Sequence, residues 1–210
     1  MNLRQHFFLF TAFIFLTVCS STVLFAQSAM DKKAKEEKIT IPNGSFEDLP
    51  KDGRIPSRWK ACGANSTPDI LPGPWGVTNP PSHGNSYLGL ITREDNTFES
   101  VTVKLEKAMK KDQCYTFNVD LAHSAAYSGY AKTGCLRVWG GNSPCERKQL
   151  LAASGVIEHY EWKTYGFSFF AKDEYKYITI ECYYKMPSLI PYRANILIDN
   201  FFSLEICDRA

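Results

Sequence analysis

Asn43-Gly44-Ser45-Phe46-Glu47, read together with Ile198-Asp199-Asn200 near the far end of the chain, decides the fold. Thr40 to Glu47 reads as an opening strand, and Asn195 to Ile206 as the closing one. Each carries a carboxylate, Glu47 or Asp199, and at Asp199 a core-facing apolar pattern changes. Gly44 lacks a Cβ and so permits another backbone to approach closely. A chain built this way brings its first and last strands together.

Between these ends the apolar residues follow a period of two. Phe98 to Leu105 places Val101, Val103 and Leu105 on one face, and Tyr115 to Ala122 places Phe117, Val119 and Leu121 on one face. Ser86 to Ile91, Leu136 to Trp139, Trp162 to Phe170 and Tyr177 to Tyr184 complete a set of about eight strands. Turn residues separate them, as in Gly140-Gly141-Asn142, Lys172-Asp173-Glu174 and Pro187-Ser188. A sustained helical period and a βαβ rhythm are both missing, which predicts an all-β antiparallel sandwich. Trp59 is expected in the core beneath the first strand. Ala61 to Pro81 is too long for a hairpin and is expected to be tied down, with Cys62 as the tether.

Residues 1–26 read as an export signal: Arg4 in the n-region, an apolar run from Phe7 to Leu24, and a cut after Ala26. Cys19 and its polar neighbours Ser20, Ser21 and Thr22 make the run a poor membrane span. Residues 27–38 form a charged leader, and residues 39–210 are expected to be one β-sandwich domain. The whole chain has 24 Lys plus Arg and 22 Asp plus Glu, and the signal removes only Arg4 from either count. A near-neutral balance of this kind supplies no footprint for nucleic acid. No second apolar stretch approaches spanning length. Cys62, Cys114, Cys135, Cys145, Cys182 and Cys207 remain after cleavage. An even number in an exported chain predicts disulfides, with fifteen pairings if all six close. Cys182 alternates with Ile178 and Ile180 and reads equally well as a buried thiol.

Alternation also nominates a ligand face. Arg137 and Trp139 point away from Leu136 and Val138; Glu181 and Tyr183 point away from Ile178 and Ile180; Asn118 and Asp120 point away from Phe117 and Val119. On one sheet these groups would offer rings to sugar C–H faces and planar polar groups to hydroxyls. The competing reading is a cross-strand charge network with its rings covered by loops. A rival location is the loops, where Trp75, Tyr127 and Tyr130 could line a site. Catalytic motifs are missing. There is no G-x-S-x-G or H-E-x-x-H; His83, His123 and His159 are scattered; and Asp120 with Glu181 beside Arg137 reads as a salt-bridge network rather than a glycosidase pair.

The order of motifs carries a resemblance: NGSFE, then Trp59-Lys60-Ala61-Cys62, Ser66-Thr67-Pro68-Asp69, His83-Gly84-Asn85-Ser86-Tyr87-Leu88-Gly89, and Glu99 to Leu105. From about Ile39 to Cys207 the chain resembles secreted galactose-binding-like jelly rolls of the carbohydrate-binding-module type found in Bacteroidetes exported proteins, alone or ahead of OmpA-like or gliding-associated domains. No OmpA-like or sorting domain is found here, so peptidoglycan anchoring is not expected. The resemblance implies a non-catalytic module in the periplasm, on the outer cell surface or secreted, with a glycan or surface polysaccharide as partner. The alternative is an adhesive domain that contacts another surface protein. It also implies a structural calcium between the first and last strands, with Glu47 and Asp199 as acidic ligands. Calcium takes about six to eight oxygens, so backbone carbonyls would complete the set.

Overall fold

The computed structural model describes residues 38–63, 65–184 and 190–207. The expected export signal and all but Lys38 of the expected charged leader lie outside them. The described chain forms two sheets with no α-helix among the described residues. One sheet runs in the order β1 (Lys38–Thr40), β13 (Ser203–Ile206), β6 (Cys114–Ala122), β12 (Ala194–Asp199), β4 (Tyr87–Thr92), β3 (Asp69–Leu71). Two further strands join it, with β10 (Lys163–Phe170) beside β6 and the two-residue β7 (Lys132–Thr133) beside β12. The other sheet runs β2 (Trp59–Ala61), β5 (Ser100–Met109), β11 (Tyr175–Tyr183), β8 (Cys135–Gly141), β9 (Gln149–Ala153). The long pairings are antiparallel, β10 with β6 and β11 with both β5 and β8. This is the all-β antiparallel sandwich that the alternation indicated, with the jelly-roll form that the resemblance implied.

The core is the sum of the inward positions. Leu88, Leu90, Phe117, Val119, Leu121, Ile196 and Ile198 from the larger sheet meet Val101, Val103, Leu136, Val138, Ile178 and Ile180 from the smaller one. Trp59 is buried among them, its ring 5.4 Å from Phe46, as its position in the sequence suggested. The larger sheet is apolar on its outer face too. There Leu71, Tyr87, Ile91, Ala122 and Leu197 of the sheet pack under Val77 and Tyr127 from the overlying loops. Strands β4 and β12 are therefore buried along their whole length.

Both terminal segments differ from the expected continuous strands. Regular pairing of the first ends at Thr40, and the chain passes through left-handed backbone at Asn43 (φ 48°) and Phe46 (φ 53°). Glu47 therefore stands just past a turn rather than on a strand. The closing segment breaks at Asn200 (φ 57°) into β12 and β13. Asparagine is among the few non-glycine residues that tolerate this conformation. The first and last segments do meet: Phe201 N–H donates to Gly44 O at 2.7 Å, and Ile41 N–H donates to Phe202 O at 2.8 Å.

Two disulfides close, Cys62–Cys145 and Cys114–Cys207. Cys135 and Cys182 take part in neither, and Cys182 is a fully buried thiol whose pKa burial pushes up. The expected tether of the long loop is thus real, through Cys62.

Candidate functional site

Register across the smaller sheet places the nominated residues side by side. Glu181 pairs with Arg137, Thr179 with Trp139 and Tyr183 with Cys135, so their side chains share the outer face. Arg137 lies flat on Tyr183, its guanidinium carbon 3.5 Å from the ring centroid. Tyr183 is held in turn by Phe98, edge-on at 5.3 Å, and by Tyr184, stacked at 4.6 Å. Trp139 Nε1 donates to Glu181 Oε1 at 2.9 Å.

The rest of this face is covered. Cys62–Cys145 pins the segment after β8 across the sheet, and Arg147 reaches from it to Glu181. Arg147 Nε lies 2.7 Å from Glu181 Oε2, and its Nη2 donates to Ser100 Oγ at 3.2 Å. Glu181 is only 1% exposed, and Thr102 and Thr179 beside it are buried. The network reading therefore holds for Glu181, while Arg137, Trp139 and Tyr183 remain half-exposed. An open cavity of about 540 Å³ adjoins Arg137 and Tyr183, while Trp139 stands outside its lining. Arg137, Tyr183 and Tyr184 form one wall, and Ser154, Gly155 and Glu158 belong to its lining.

Two nominated residues do not belong to this face. Asn118 and Asp120 are on β6, in the other sheet, because alternation assigns a face but not a sheet. Asp120 is buried and accepts from Thr164 Oγ1 (2.6 Å), Ser82 Oγ (2.7 Å) and Asn200 Nδ2 (3.0 Å). Burial pushes its pKa up, but these donors outweigh it and hold the carboxyl below the usual range. Asp120 and Glu181, on separate sheets, are not a facing carboxylate pair.

The loop aromatics divide. Tyr127 is 1% exposed and hydrogen-bonded to the buried Asp69, so it is a packing residue beneath its loop. Tyr130 is half-buried against Tyr127. Trp75 is 46% exposed on a 3-10 turn, Pro74–Gly76, whose backbone is left-handed at Trp75 itself (φ 56°). These three lie with the larger sheet's outer layer, apart from Arg137 and Tyr183.

At the seam between chain ends, Glu47 and Asp199 converge on one hydroxyl. Ser45 Oγ donates toward Glu47 Oε1 (3.2 Å) and Asp199 Oδ1 (3.4 Å), and lies 2.9 Å from His83 Nδ1. His83 N–H donates to Asp199 Oδ2 (2.8 Å), and Asn85 N–H to Glu47 Oε2 (3.0 Å). Gly84 between them has a left-handed backbone (φ 65°) that favours glycine, and a Cβ there would displace the Glu47 carboxylate, 1.9 Å away. Asp199 is fully buried, and desolvation, with Glu47's charge adding to it, raises its pKa to about 6. The expected calcium would rest on these two carboxylates, whose oxygens here accept from backbone N–H groups. No group of three or more His, Cys, Asp or Glu gathers as a metal site among the described residues. Further ligands would therefore be Ser45 Oγ, backbone carbonyls and water.

Sequence reasoning missed Arg147, Phe98, the Ser154–Glu158 wall, and Ser45 with His83. Arg147 had a signal in its closeness to Cys145, and Ser45 and His83 had one in lying within the motifs that carry the resemblance.

No family model matches the sequence, and no curated protein matches it. Solved structures do. The K1 cleaved adhesin domain of Lys-gingipain from Porphyromonas gingivalis W83 is similar with a TM-score of 0.51 at 14% identity, over 81% of this chain and 99% of that one. The CBM22-1 xylan-binding domain from Paenibacillus barcinonensis Xyn10C is similar with a TM-score of 0.47 at 14% identity, over 80% and 94%. The adhesin likeness supports the sandwich fold and nothing finer.

Proposed function

We propose that this protein is an exported, non-catalytic carbohydrate-binding module whose glycan lies against Arg137, Trp139 and Tyr183. The observation that carries this reading is the Arg137 guanidinium stacked 3.5 Å over Tyr183 at the edge of an open 540 Å³ cavity. A guanidinium plane held beside the half-exposed Trp139 and Tyr183 offers the flat surface and planar donors that a sugar ring asks for. Two disulfides fit an oxidising compartment and so an exported chain.

A glycan array tests the reading. Wild-type protein is expected to bind at least one glycan class, and Tyr183→Ala to bind it about tenfold more weakly, equivalent to about 1.4 kcal/mol. Trp75→Ala should bind as wild type. Silence across the array sinks the proposal, and loss in Trp75→Ala with retention in Tyr183→Ala moves the site to the loops.

Calcium at Glu47 and Asp199 belongs to the same reading, as a clamp between chain ends rather than a participant in ligand binding. Saturating calcium at a hundred times its Kd adds about 2.7 kcal/mol. The melting temperature is then expected to rise by roughly 5–10 °C over that in chelator. Glu47→Ala should show no difference between the two conditions. An identical midpoint for the wild type with calcium and with chelator would remove the metal.

A further inference from the structure

We propose that the glycan taken at this site is acidic, its carboxylate or sulfate paired by Arg137. The inference rests on the glycan-binding reading above and adds the class of sugar. It begins from the charges around Glu181. That carboxylate is already matched, because Arg147 Nε is 2.7 Å from Oε2 and Trp139 Nε1 is 2.9 Å from Oε1. Arg137 stands further off, its Nη1 4.0 Å from Oε1. Two guanidiniums thus share one buried carboxylate, and Arg137 holds the charge left over.

Arg137 is also set up for a ligand. Among the described residues its side chain makes no hydrogen bond; its contacts are the Tyr183 ring and the long approach to Glu181. It is 25% exposed, so its donors reach the cavity. Stacking on Tyr183 fixes the guanidinium plane, while Phe98 and Tyr184 fix Tyr183. A planar fork with fixed orientation and unused donors is suited to bidentate pairing with an anion. A neutral sugar would lie against the guanidinium but leave its charge unanswered.

Glu158 is the acidic residue on the lining that is exposed to water. It opposes an incoming anion, but water and salt screen an exposed charge. Its role here is to weaken binding moderately, which makes Glu158→Gln informative.

The test is calorimetric titration of the purified full chain with matched pairs: oligogalacturonide against its carboxyl-reduced form, and sulfated against desulfated carrageenan oligosaccharide. At least one acidic member is expected to bind about tenfold or more tightly than its neutralised partner. Whichever pair discriminates identifies the anion. Arg137→Gln should erase the preference, Arg137→Lys should restore only part of it, and Glu158→Gln should strengthen acidic binding. Melting temperatures of all three variants verify folding. Equal affinity within both pairs, or a preference that survives Arg137→Gln, overturns the acidic assignment. Tyr183-dependent binding of neutral glycans alone also overturns it, yet leaves the module reading standing. Failure of every glycan overturns both.

Discussion

Gly44→Ala is expected to lose about 4 kcal/mol of folding free energy. A Cβ at this position would stand 1.8 Å from Phe201 O and 2.6 Å from its carbonyl carbon. Those atoms are backbone, so no rotamer change relieves the overlap and the two chain ends must separate. Separation breaks the 2.7 Å bond from Phe201 N–H to Gly44 O, leaving both groups in a buried setting. It also disturbs Phe46 and Phe201, both buried in the core on either side of the seam. Overpacking of this kind costs about 1–3 kcal/mol, and an orphaned buried pair about 1–3 more. Against a typical domain stability of about 5–15 kcal/mol, the loss leaves a marginal fold. Urea denaturation followed by tryptophan fluorescence measures it. Gly155→Ala is the control, because its Cβ would meet nothing within 4 Å. A Gly44→Ala loss below about 1 kcal/mol would show that the seam yields, and would weaken the argument that the chain ends are clamped.

That glycine was legible in the sequence, and the reason is local. Apolar alternation in residues 115–122, 136–139 and 177–184 reports which way each side chain points relative to its own strand, and the structure agrees. Sheet membership is another matter. Asn118 and Asp120 alternate just as Arg137 and Glu181 do, yet they sit on the other sheet, because pairing partners are chosen by long-range topology. The break at Asn200 was hidden for a related reason. The pattern change at Asp199 reads as a ligand position within one strand, and nothing in it marks the left-handed residue that redirects the chain.

The candidate site was half legible. Arg137, Trp139 and Tyr183 share a face because β8 and β11 are neighbours, which alternation and a shared sheet suffice to place. The burial of Glu181 was not legible, since it follows from a loop that crosses the sheet under the Cys62–Cys145 bond and brings Arg147 with it. Tyr127 misled in the same way. Its loop reads as exposed, but its hydroxyl finds Asp69, 58 residues away in sequence and buried. Aromatic residues in a loop thus mark a surface only when no buried acceptor lies within reach.

The two disulfides should prove separable in their effects. Cys114 and Cys207 are 93 residues apart, and Cys62 and Cys145 are 83 apart. Loops near one hundred residues correspond to about 4.7 kcal/mol on chain-entropy grounds, so removing either bond is expected to cost about 4 kcal/mol. In melting temperature that is roughly 8–16 °C for a chain of this length. The functional consequences differ. Cys114–Cys207 joins the start of β6 to the end of β13, with Cys207 N–H also donating to Cys114 O at 3.2 Å. It lies with the larger sheet, so Cys114→Ala with Cys207→Ala should lower stability and leave glycan affinity unchanged. Cys62–Cys145 holds the segment that presents Arg147 to Glu181. Without it the segment lifts, Glu181 turns to Arg137, and the Arg137 guanidinium leaves Tyr183. Cys62→Ala with Cys145→Ala should therefore lose stability and glycan affinity together. Thermal melts and calorimetry on both double variants, below their melting temperatures, decide it. Equal affinity in the two would mean that Arg137 keeps its place on Tyr183 without the covering loop.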